Sequence, residues 1–94
     1  MKVFNITGST GRKVPNQFII RDSEAGASYF QSCNSIIVKQ WYNPATCQVE
    51  TILDCNTWDY SYTTGKYRNL FLGETKKETE AKIKNGEYTL ANLN

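Results

Sequence analysis

The stretch Ser35–Tyr42, Ser-Ile-Ile-Val-Lys-Gln-Trp-Tyr, constrains the fold more than any other part of this chain. Branching at Cβ costs side-chain freedom in a helix, whereas β-branched and aromatic groups fit a pleated, half-buried surface. Alternation then places Ile36, Val38 and Tyr42 on one side of a strand and Ile37, Lys39 and Trp41 on the other. The flanking sequence supplies neighbours for it. Gln17–Arg21 (QFIIR) is a strand with Phe18 and Ile20 on one face, and Tyr29–Gln31 pairs back on it across the turn Asp22–Ala27. Downstream, Asn43-Pro44-Ala45-Thr46 is a turn, because Pro44 fixes its own φ and keeps Asn43 out of the α region. Cys47–Leu53 then alternates, with Val49, Thr51 and Leu53 facing one way. Lys2–Ile6 reads as a short edge strand. The sum is an antiparallel meander of about four strands.

The periodicity changes after Asp54. Tyr67, Leu70 and Phe71 stand at i, i+3 and i+4, the apolar stripe of a short helix that Thr63 or Thr64 caps and Gly73 ends. Thr75-Lys76-Lys77-Glu78 is a capping box, in which hydroxyl and carboxylate satisfy each other's backbone N–H groups. That second helix runs to about Asn85 and stops at Gly86, with a thin apolar face of Thr79 and Ile83. Glu78–Lys82 and Glu80–Lys84 are i, i+4 pairs on its exposed side. Tyr88, Leu90 and Leu93 alternate in a final extended segment. The expected fold is α+β: a small antiparallel sheet of about four strands followed by two short C-terminal helices. One domain over residues 1–94 is the expectation for a chain of 94 residues.

Several function classes lose support from what the chain lacks. There is no histidine, the commonest general base and metal ligand. The three cysteines, Cys33, Cys47 and Cys55, are too widely spaced for zinc couples, and their odd count argues against a closed disulfide framework. Cys33 and Cys55 read as buried small hydrophobes or as bystanders. No enzyme activity, cofactor or metal is expected. No apolar run approaches a membrane span and no secretory leader is legible, so the chain is expected in a reducing cytoplasm. Gly8-Ser9-Thr10-Gly11-Arg12-Lys13 faintly resembles a phosphate loop, but such loops lead into a helix. Here Pro15 and the strand QFIIR follow, so the segment reads as a flexible loop. The edges of an open sheet invite pairing, and the chain is expected as a monomer or homodimer.

The segment from Trp58 to Arg68 carries the functional hypothesis. Trp58, Tyr60, Tyr62, Lys66, Tyr67 and Arg68 combine aromatic groups and cations within eleven residues, the types that dominate interface energetics. The plainer reading is that Trp58 and Tyr60 plug the core while the threonines only cap a helix. As a binding surface, the segment suits a protein partner. Aromatic groups beside cations also suit single-stranded nucleic acid. The balance of 11 basic and 9 acidic residues permits nucleic acid without demanding it. A nucleotide-sequestering protein is a further alternative.

Three blocks of the chain resemble a family of short, uncharacterised phage and prophage proteins from low-GC Gram-positive hosts. They are Tyr29–Ile37; Trp58–Ser61 with Thr63–Asn69 and Phe71–Glu74; and Lys77–Glu80 with Lys82–Tyr88 and the Leu93-Asn94 end. In that family's pattern a basic residue stands where this chain has Tyr62, and an aromatic where it has Cys33. The resemblance transfers no catalytic residue. It implies a setting: a small phage protein in the host cytoplasm, of a kind that commonly blocks host defence. The expected function is an anti-defence, anti-CRISPR-type inhibitor that binds a host defence protein or its nuclease–nucleic-acid complex.

Overall fold

The computed structural model describes residues 1–94. Strands β1 (Lys2–Thr7), β2 (Lys13–Asp22), β3 (Ala27–Ser32), β4 (Ser35–Asn43) and β5 (Gln48–Asp54) form an antiparallel meander. Helices α1 (Tyr62–Leu72) and α2 (Lys76–Lys84) then cross over, and β6 (Tyr88–Ala91) returns parallel to β5. The expectation of about four antiparallel strands followed by two helices is overturned. The sheet has six strands in the order β1 to β6, it is mixed, and a strand follows the helices. The reason lies in the crossover. A parallel strand needs a connection long enough to reverse direction twice, and α1 and α2 supply it. The edge reading of Lys2–Ile6 holds, since β1 closes one side of the sheet.

Strict alternation along Ser35–Tyr42 fails at a β-bulge. Phe30 faces Val38 but Gln31 faces Ile36, which leaves Ile37 as the extra residue of β4. Ile37 and Val38 are therefore both fully buried, in one core cluster with Ile6, Phe30 and Leu53. Tyr67, Phe71 and Leu72 of α1 and Ile83 of α2 pack against that cluster. Phe18, Ile20, Tyr29, Trp41 and Ile52 alternate to the opposite side of the sheet. They lie outside the cluster and are half-buried, with Lys39 Nζ 5.8 Å from the Tyr29 ring centroid and 5.7 Å from that of Trp41.

Helix α1 departs from its expected start and face. Its N-cap is Ser61, whose Oγ accepts from the Thr64 N–H at 3.1 Å, so neither Thr63 nor Thr64 is the cap. Thr64 instead pins the helix to the sheet, its Oγ1 hydrogen-bonded to Ser32 Oγ of β3 at 3.0 Å. This sets the buried side as Thr64, Gly65, Arg68 and the Phe71–Leu72 edge, and Leu70 turns outward, 56% exposed. Gly73, at φ 69°, ends the helix in the left-handed conformation as expected. The Thr75–Glu78 capping box opens α2.

The chain's end is tied back into the sheet. The buried Asp54 carboxylate accepts from Leu93 N at 2.8 Å and Thr57 Oγ1 at 2.7 Å. Asn94 bonds both the N–H and the C=O of Ile36, at 2.7 and 2.9 Å. The pairing of β4 with β5 runs from Val38 to Asn43, so a side-chain amide stands in for a strand partner at Ile36.

Candidate functional site

The six residues singled out from the sequence divide into a buried set and an exposed set. Arg68 is 1% exposed, and Trp58 and Tyr67 are half-buried against the core. Tyr60 and Tyr62 are 52% and 86% exposed, and Lys66 is exposed beside them. The buried Arg68 is thus withdrawn from any continuous contact surface, while Trp58 and Tyr67 each pack one side on the core and keep part of their surface open. Helical geometry explains the division. Arg68 lies one turn beyond Thr64, which faces the sheet, whereas Tyr62 lies in the first turn on the outer side.

The buried guanidinium organises the loop that carries the exposed tyrosines. Arg68 Nη1 donates to the Trp58 carbonyl at 2.6 Å and reaches Asp59 Oδ1 at 3.4 Å, while Nη2 donates to Asn69 Oδ1 at 3.0 Å. Its plane stacks on Trp58, 5.3 Å from the ring centroid. Asp59 also holds Lys76, the first residue of α2, at 2.8 Å. A surface cavity of about 530 Å³ adjoins this network, lined by Asp59, Tyr60, Tyr62, Lys66 and Lys76 together with the buried Arg68. It presents two phenols and one unpaired cation, Lys66, on a support fixed by hydrogen bonds. Asp54 and Asp59 do not form a carboxylate pair, because each is committed to different partners.

A second polar cluster joins the two helices to β6. Glu74, with its side chain 4% exposed, accepts from Lys82 Nζ at 2.7 Å, Tyr88 OH at 2.8 Å and Thr79 Oγ1 at 2.5 Å. Lys82 thus pairs with Glu74, and the expected i, i+4 bridge from Glu78 is replaced, Glu78 being taken up in the cap. Burial opposes charge on Glu74, but the hydrogen bonds from Lys82, Thr79 and Tyr88 outweigh it and hold the carboxyl below its usual range. Burial and the bond to Glu74 push the Tyr88 phenol up to about 12. In Asp54 and Asp59 burial is likewise outweighed, by the Leu93 N–H and Thr57 hydroxyl in one and by Lys76 and Arg68 in the other.

These shifts fix a pH dependence of stability. Asp54, Asp59 and Glu74 are depressed on folding, so their contribution is complete above about pH 4–5 and is lost as pH falls through their lower folded values. Tyr88 and Lys82 are raised on folding, so their contribution is complete below about pH 10 and is lost above it. Thermal melts should show a plateau between these limits. Glu74→Gln should flatten both flanks, and unchanged flanks would contradict the assignment.

The thiols do not fit the buried reading. Cys33, Cys47 and Cys55 are all exposed, the first two in turns at φ 54° and 56°. No group of three or more Cys, Asp or Glu side chains gathers in a geometry that would hold a metal ion. No helix is long and apolar enough to cross a membrane. Sequence reasoning missed the roles of Asp59, Glu74 and Lys76. The acidic residues just before each capped helix were the available signal.

A family model described as a family of unknown function (DUF8033) matches residues 1–87. No curated protein and no solved structure matches the chain. With that match spanning the whole meander, both helices and the Trp58–Arg68 segment, the chain belongs to the DUF8033 family.

Proposed function

We propose that this chain is a phage-encoded accessory protein that acts by binding, without catalysis. In this reading it is an anti-defence inhibitor of the anti-CRISPR type, engaging a host defence protein or its nucleic-acid complex in the host cytoplasm. One observation carries the reading: Tyr60 and Tyr62 stand 52% and 86% exposed beside Lys66, on a loop and helix end held rigid from below by Arg68. Exposed tyrosines on a fixed support give large contact area at low entropic cost when a partner covers them. The resemblance to small phage proteins supplies the setting. Binding of nucleic acid itself is the second reading, and an unneutralised basic groove beside the tyrosines favours it.

The test is protection in trans. A phage restricted by a host CRISPR nuclease should regain plaques when the chain is expressed in that host. Tyr60→Ala/Tyr62→Ala should remove the gain at unchanged protein level. Absence of any gain across hosts carrying different defence nucleases would overturn the inhibitor reading.

A further inference from the structure

A groove of about 800 Å³ runs between the β1–β2 turn and α1. Arg12, Lys13 and Lys66 line it, together with Thr7, Ser9 and Thr10, and no carboxylate does. None of the three cations takes part in an ion pair. The ion pairs of the chain lie elsewhere, Arg68 and Lys76 being held by Asp59 and Lys82 by Glu74. Other surface cations of the chain are unpaired as well, so what marks the groove is that three of them line one concavity with no carboxylate among its walls, Lys66 lying over the Tyr67 ring at 5.4 Å. Like charges gathered in one concavity repel, and an anion bound among them relieves that cost.

The turn that presents Arg12 and Lys13 is closed by backbone hydrogen bonds. Gly8 N donates to the Arg12 carbonyl at 2.9 Å and Gly11 N to the Gly8 carbonyl at 3.0 Å, with Gly11 at φ 80°. No helix follows this turn, so it lacks the converging backbone N–H groups of a nucleotide phosphate loop. The charge comes from side chains spread along the groove, which suits a ligand whose negative charges recur along its length. Lys66 and Asn69 also line the cavity that carries Tyr60 and Tyr62, so groove and cavity share a wall. A chain with repeated anionic groups and planar groups able to stack on phenols is single-stranded nucleic acid.

We infer that the groove binds the phosphates of single-stranded nucleic acid, with unstacked bases laid on Tyr60 and Tyr62. This deepens the binding reading by naming a ligand class. It is tested on purified protein with no host partner present, so either can fail alone. The measurement is fluorescence anisotropy with labelled oligothymidylate and oligouridylate of about 15 nucleotides. A duplex of equal length and a polyglutamate peptide serve as the other arms.

Neutralising three phosphates predicts a slope of log K against log salt of about −2, or roughly twentyfold weaker binding between 50 and 200 mM salt. Arg12→Gln/Lys13→Gln/Lys66→Gln should abolish that slope and most of the affinity. Tyr62→Ala should weaken binding by at least about fivefold while leaving the slope unchanged. All four residues are exposed, so melts of the variants should match the parent, which separates loss of binding from loss of fold. No binding at low salt, binding that survives the triple variant, or equal binding of polyglutamate or duplex would overturn the inference.

Discussion

Arg68→Ala is expected to destabilise the fold by about 3 kcal/mol or more, measured by urea unfolding, because it removes a buried charge from partners arranged around it. The Trp58 carbonyl loses a donor held at 2.6 Å, and the face of Trp58 loses the guanidinium stacked 5.3 Å from its centroid. The network is not fully satisfied even in the parent, since Arg68 Nε is buried without a hydrogen-bond partner. A buried ion pair is often replaceable by an apolar group of similar shape. Arg68→Met should therefore recover much of the stability while losing the bonds that fix the Trp58–Asp59 loop. A surface contact would behave in the opposite way: Arg68→Ala would then leave unfolding unchanged and weaken only binding.

Phe30→Ala should cost about 3–5 kcal/mol, a large part of the stability of a domain this small. Phe30 is fully buried in the centre of the sheet, opposite Ile19 and Val38, and its ring stacks on Phe71 of α1 at a centroid distance of 6.0 Å. It joins the meander to the helix, and truncating it opens a cavity at that junction. Phe30→Leu keeps most of the volume and should cost no more than about 1.5 kcal/mol. Equal losses in the two variants would place the cost in something other than packing.

Much of this fold is legible in the sequence, and the misses have physical causes. Local signals held where the chemistry is local: the Pro44 turn, the Thr75–Glu78 box and the Gly73 stop each act within a few residues. Longer-range features escaped. The alternation of Tyr88 and Leu90 marks an extended segment, but its parallel pairing with β5 depends on a partner far away in the chain. The bulge at Ile37 arises from register between β3 and β4, which the β4 sequence alone does not contain. Ser61, Thr63 and Thr64 are chemically similar caps, and only the bond from Thr64 to Ser32 decides which of them faces the sheet. The candidate segment shows the same limit. Composition located it, but not which of its aromatics and cations face inward, because that is set by how α1 docks on β3 through Thr64 and Ser32.

Tyr60, Tyr62 and Lys66 remain on the surface as the contact set of the proposed inhibitor. The most direct test is affinity purification of the tagged chain from phage-infected host cells with nuclease treatment, run beside Tyr60→Ala/Tyr62→Ala. The binding account predicts that the parent retains one host protein at near-stoichiometric level after nuclease and that the double variant loses it while melting at the same temperature. Equal recovery by both chains, or no host protein with either, would contradict it.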